Sequence, residues 1–231
     1  SCTNPFPLAS KHGGSTKEHG SINRAVSLGG LSGVYLTNDT LGVGDCGNGN
    51  LAVLTDASDV TIQENWYRGA WFDGLNVFWH DLCSPEGFPS RKCLADGKPV
   101  AGKNDTAVVA GKLSLAPGEI GSMRFVITWS FPVMSNYWRP SESEGGCCGD
   151  EGCGCSSDTW KHYYATLFDT SLESATYGLE NWKRLEDGST LYQTALFSST
   201  VPADVVDAVS ANVSILKSPT TLRLEDGTFY G

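Results

Sequence analysis

The chain has 231 residues, of which 40% are hydrophobic and 18% charged, and carries a formal net charge of -10. That is enough apolar material for one large domain, or for a domain and the start of another. The negative charge, offset by no local Lys/Arg cluster, excludes nucleic acid and anionic membrane surfaces as partners. No apolar run approaches the roughly 20 residues that cross a bilayer, so no transmembrane segment is expected, and residues 1–19 are too polar and Gly-rich for a signal-peptide core. The 27 Gly and 7 Trp suit short strands, turns and aromatic-lined surfaces better than a helical bundle.

In chain order, Gly33-Val34-Tyr35-Leu36-Thr37, Leu51 to Thr55, Val60 to Gln63 and Val108 to Leu115 read as short strands separated by Gly, Asn and Asp. Between the first two, Gly42 to Gly47 fits G-x-G-x-x-G, but a strand pattern follows it instead of a phosphate-binding helix, so a glycine-rich β-turn is expected. The run from Trp66 to Trp79 mixes aromatic rings with Asp, Asn and Arg, the composition of a carbohydrate surface, where sugar C–H faces stack on indoles. Aromatics on a strand also make ordinary core. Arg68, Gly69, Asp73 and Gly74 interrupt the apolar pattern and suggest a loop, so Trp66 and Trp71 are candidate substrate contacts, with Trp138 a third. His80 and Asp81 follow Trp79 without a nucleophile motif and read as structural. Pro117-Gly118 supplies the centre of a tight turn before a strand from Met123 to Trp129. Residues 1–139 therefore read as an antiparallel β-sandwich, with an irregular opening.

Residues 140–157 form a Gly/Ser/Glu/Cys loop without periodicity. Within it Cys147, Cys148, Cys153 and Cys155 could hold a metal, form disulfides or remain free thiols, because adjacent cysteines and a one-residue gap make convergence of four sulfurs difficult. No cofactor is expected. From residue 158 the period changes: Trp160, Tyr164, Leu167, Phe168, Leu172, Ala175, Leu179, Trp182 and Leu185 predict one long amphipathic helix capped by Ser157 and Asp158. Leu191, Ala195 and Leu196 suggest a short second helix. Val205, Val209, Val213 and Leu216, after Pro202, suggest a third. The alternation from Thr220 to Leu224, the Asp226-Gly227 turn and a return strand breaking off at Gly231 make the chain read as a piece of a longer polypeptide.

Several of these segments together resemble the N-terminal region of glycoside hydrolase family 116, the family of non-lysosomal glucosylceramidase and bacterial β-glucosidases. They are Leu31 to Asp39; Leu115 to Glu119 leading into Phe125 to Pro132; Tyr163-Tyr164 with Leu167-Phe168; and Ser199 to Pro202 through Leu224 to Phe229. The resemblance implies a mainly β chain, a sandwich followed by helices that begin an (α/α)6-type domain. It implies retaining hydrolysis of a β-glucoside or glucosylated lipid by carboxylates in that helical domain, a partner beyond these residues. It gives no catalytic role to any residue of this chain. The cysteine cluster is where the sequence departs most from the family pattern.

Overall fold

In the computed structural model the residues described are 1–5, 21–38, 41–69, 73–92, 105–136, 159–217 and 221–230. The chain is mainly β, with antiparallel sheets and four helices among these residues. Strands β2 (Ser21–Leu28) and β3 (Leu31–Asn38) form a hairpin whose two-residue turn is Gly29-Gly30, both at positive φ, which twists the backbone as the paired strands require. β4 (Asn50–Thr55) and β7 (Phe125–Ser130) extend this hairpin into a four-stranded sheet of order β2-β3-β4-β7. A three-stranded sheet joins β1 (Cys2–Thr3), β6 (Thr106–Gly111) and β5 (Val60–Gln63) in the order β1-β6-β5.

Alternation along the strands sends side chains to opposite faces, and each face of the larger sheet has its own core. Val34 and Leu36 pack with Ala107 of the smaller sheet, joined by Ile62, Val109 and Phe131. On the other face Ala52 and Leu54 meet helix α2 (Ser171–Glu180) through Ala175 and Leu179. Leu36 and Leu54 are fully enclosed, each gaining about 1.5–3 kcal/mol from burial.

A polar seam closes one end of the sheets. Asn4 Nδ2 donates to Asn23 Oδ1 (2.8 Å) and to the Thr37 carbonyl (3.0 Å), while Asn23 Nδ2 donates to the carbonyls of Glu64 (2.7 Å) and Asp105 (3.2 Å). Both Asn side chains are completely buried, so these bonds compensate their desolvation and fix the positions of four chain segments.

The expected strands agree with the structure except at their ends: the strand expected over Val108 to Leu115 stops at Gly111, and the one expected from Met123 starts at Phe125. The Pro117-Gly118 turn forms, with Gly118 at φ 80° and Glu119 N donating to the Ala116 carbonyl at 3.0 Å. Gly42 to Gly47 folds as successive turns, Asp45 N donating to the Gly42 carbonyl and Asn48 N to that of Asp45, each at 2.9 Å.

The single long helix expected from Trp160 does not form. Trp160 lies in β9 (Thr159–Lys161), paired antiparallel with β8 (Val133–Ser135), and Tyr164 lies in a short 3-10 turn, Tyr163–Thr166. The helix starts only at Ser171 because Thr170 caps it, its hydroxyl accepting from Glu173 N, while the Glu173 carboxylate accepts from Asp169 N at 2.8 Å. This T-x-x-E arrangement is a capping box shifted by one residue, and it ends the upstream pattern. The chain breaks again at Asn181 before α3 (Trp182–Phe197), which absorbs the separate helix expected around Leu191. α4 (Ala203–Asn212) forms over the first part of the expected third helix, with Val213 and Leu216 in the 3-10 helix Val213–Lys217 that follows; Pro202 is its N-cap residue, the Pro202 carbonyl accepting from Val205 and Val206. The final hairpin, β10 (Leu222–Arg223) with β11 (Phe229–Tyr230), pairs both arms around Asp226-Gly227, Gly227 standing at φ 90°.

Candidate functional site

The aromatic run contains a helix that the sequence reading did not predict. α1 (Asp73–Leu82) begins after the 66–69 loop, and its inward residues Gly74, Val77, Phe78 and Asp81 fall at i, i+3, i+4 and i+7. Trp66 is half-buried, its ring stacked on Phe78 at 4.7 Å between centroids, and its Nε1 is enclosed without a hydrogen-bond acceptor among the described residues. Arg68 is not available for sugar hydroxyls, because Nε and Nη2 donate to the two carboxylate oxygens of Asp105 at 2.9 and 2.7 Å. Asp81 is buried and anchors α1: it accepts from Gln63 Nε2 at 3.1 Å and from Arg91 Nη1 at 2.7 Å. Burial alone would raise its carboxyl, but the bonds from Arg91 and Gln63 and the Arg91 charge hold it below the usual carboxylate range. Trp71, Trp138, Cys147, Cys148, Cys153 and Cys155 lie outside the described residues. Among the described residues no three His, Cys, Asp or Glu side chains converge on a common metal position.

A second place gathers aromatic and polar groups that are remote in sequence. After β7 the chain passes through Phe131 to β8, and the Tyr164 hydroxyl clamps this corner, accepting from Phe131 N at 2.8 Å and donating to the Phe131 carbonyl. His162 N donates to the Pro132 carbonyl at 2.9 Å, and His162 bridges to Leu224, fastening the final hairpin to β9. Trp160 stacks on Tyr230 at 5.4 Å and reinforces the attachment.

Between these elements lies a cleft of about 730 Å³, with Trp129, Tyr163, Leu167, Leu216 and Phe229 among its walls and His162 and Arg223 as its ionisable nitrogen groups. Trp129 is 66% exposed there. The Arg223 guanidinium lies 3.7 Å from the centre of the Tyr163 ring, close enough for stacking with cation–π attraction. It makes no ion pair among the described residues. Burial pushes the His162 imidazole below its ordinary range, so at neutral pH it is uncharged, with one nitrogen donating and the other accepting. Burial raises the Tyr164 phenol despite its bond to Phe131, keeping the hydroxyl protonated. The described lining contains no carboxylate, so the cleft offers binding groups and not the paired acids of glycoside hydrolysis.

A family model described as "beta-glucosidase 2, glycosyl-hydrolase family 116 N-term" matches residues 6–185. The chain belongs to glycoside hydrolase family 116. It carries the N-terminal domain of a family 116 glycosidase, as the resemblance in the sequence implied. No curated protein matches the chain. The family 116 match covers Trp66, the clamped Phe131 corner and α2, and ends at Leu185, before α4 and the final hairpin. No helix of the described residues is long and apolar enough to cross a membrane.

Proposed function

We propose that this chain is the non-catalytic N-terminal part of a retaining β-glucosidase- or glucosylceramidase-like hydrolase, a β-sandwich that supports an (α/α)6-type catalytic domain and shapes its substrate entrance. In this reading a β-glucoside or glucosylated lipid is hydrolysed between two carboxylates about 5 Å apart in the helical domain, one attacking the anomeric carbon and the other protonating the leaving oxygen and then activating water.

The observation that carries the proposal is the outer surface of the helices. α3 has no buried residue, and its Leu191 and Phe197 are 71% and 60% exposed, while α4 leaves Val205 and Val209 about half exposed. Contiguous apolar helix faces of this kind belong against further helices. The same proposal puts Trp66 or Trp71 at the edge facing the catalytic domain and keeps Trp138 as another candidate contact. It leaves Cys147, Cys148, Cys153 and Cys155 to metal, disulfides or free thiols.

Reading the gene beyond the codon for Gly231 tests the proposal: continuation into helical repeats carrying a Glu and Asp pair is expected, and a stop codon would overturn it. The purified chain is also expected to hydrolyse no aryl β-glucoside, whereas turnover abolished by replacing one of its own carboxylates would refute the non-catalytic role. A second reading, a stand-alone carbohydrate-binding module, is favoured by the aromatic cleft and is the outcome a stop codon would leave.

A further inference from the structure

We propose that the cleft between the end of β7, the Tyr163–Thr166 turn and the final hairpin is a pyranose subsite, in which a sugar ring stacks on Trp129 and the oxygens of neighbouring hydroxyls accept hydrogen bonds from Arg223. The proposal deepens the family 116 reading and rests on it for the choice of a β-glucoside. Three features of the cleft carry it. Its volume, about 730 Å³, lies in the range of small-molecule sites and admits one or two sugar rings.

Its apolar surface is largely aromatic, and Trp129, in its wall, is 66% exposed, so most of the side chain is open to a ligand. Pyranose C–H faces suit such a surface, as an aliphatic cleft wall would not.

The third feature is the state of Arg223. Tyr163 holds one face of the guanidinium, so the plane is fixed while the N–H edge stays open for a bidentate contact with two adjacent oxygens. A guanidinium beside apolar walls and without a carboxylate partner among the described residues keeps its donors for a ligand. His162, neutral and on the same wall, adds one donor and one acceptor, which matches hydroxyl groups better than it matches an anion.

The test is titration of the 231-residue chain with cellobiose and, separately, with inorganic phosphate, followed by tryptophan fluorescence and saturation-transfer NMR. Saturable cellobiose binding with a Kd on the order of 1 mM is expected, and no phosphate binding in that range. Trp129→Ala and Arg223→Met should each weaken cellobiose binding roughly tenfold or more, with unchanged melting temperatures because both side chains are exposed. Arg223→Lys, which keeps the charge but loses the fork, should weaken it as well. Tyr192→Ala, an exposed ring on α3 outside the cleft lining, should leave it intact. Cellobiose binding kept in Trp129→Ala and Arg223→Met would overturn the cleft, and so would phosphate binding alone or no saturation up to roughly 100 mM. None of those failures touches the proposed role beside a catalytic domain, which the gene sequence beyond Gly231 decides. A stop codon there with cleft-dependent cellobiose binding would leave the subsite standing in a binding module.

Discussion

α2 and α4 are both ten-residue helices, yet one is built into the molecule and the other lies on it. α2 places Ser171, Ala175 and Leu179 at successive i+4 positions against Ala52 and Leu54, with a side-chain cap at Thr170 and a further clasp where Thr128 Oγ1 donates to the Ser171 carbonyl at 2.6 Å. α4 buries only Val206 and has no side-chain cap. The difference shows that an apolar stripe, which both helices possess, marks where a surface can be buried and does not say against what. α1, also of ten residues, is a third solution: its one fully buried residue is a charged group, Asp81.

This ranking can be broken by substitution. Leu179→Ala should destabilise the chain by about 2–5 kcal/mol in chemical denaturation, because it opens a cavity under a helix fixed at several points. A loss below 1 kcal/mol would mean that α2 is no better seated than α4.

For α1, Asp81→Asn should cost about 1.5–3 kcal/mol at neutral pH, the scale of hydrogen bonds to a charged group. Its depressed carboxyl stabilises the fold above the unfolded value of about 3.9, and that contribution is lost as pH falls through the lower folded value. The gap between wild type and Asp81→Asn should therefore close in acid, and a gap constant from neutral to acid pH would remove the carboxylate from the account.

Thr170→Ala should cost about 0.5–2 kcal/mol, read as a lower melting temperature with the sheet signal unchanged. Val209→Ser on α4 should alter stability by no more than about 0.5 kcal/mol in this chain. A large loss there would show that the α4 stripe is already covered.

The sheets were legible in the sequence because Val34, Leu36, Val53 and Ile62 sit in β-branched and aliphatic runs bounded by Gly and Asn. The break between Lys161 and Ser171 was less so, although Thr170 and Glu173 stand at capping-box spacing. Apolar residues happen to continue the helical period upstream, and Trp160 becomes a strand residue only by pairing with Met134. α1 was present as spacing at Gly74, Val77, Phe78 and Asp81, but a glycine and a carboxylate at two of the four inward positions leave the apolar stripe short. Trp129, Tyr163 and Arg223 had no local signal at all, since they meet only after β7, the 3-10 turn and the final hairpin are in place. Arg68 carries no local sign that its guanidinium is engaged, because its partner, Asp105, is remote in sequence.

The two-residue strand β1 finds its partner far along the chain, Thr3 Oγ1 meeting Thr106 Oγ1 across a separation of 103 residues. Closing so long a loop carries an entropic cost that two backbone pairs return only when the Asn4 and Asn23 side chains lock at the same moment. During synthesis, at 5–20 residues per second, β1 therefore waits for several seconds, on the order of 5–20, before β6 exists to receive it. The opposite end of the same seam, where Asn23 reaches Glu64, assembles earlier. The order of ribosomal emergence thus makes β1 a late arrival, and a nascent chain arrested just before residue 105 should show a protected β2–β3–β4 meander with an unprotected Asn4.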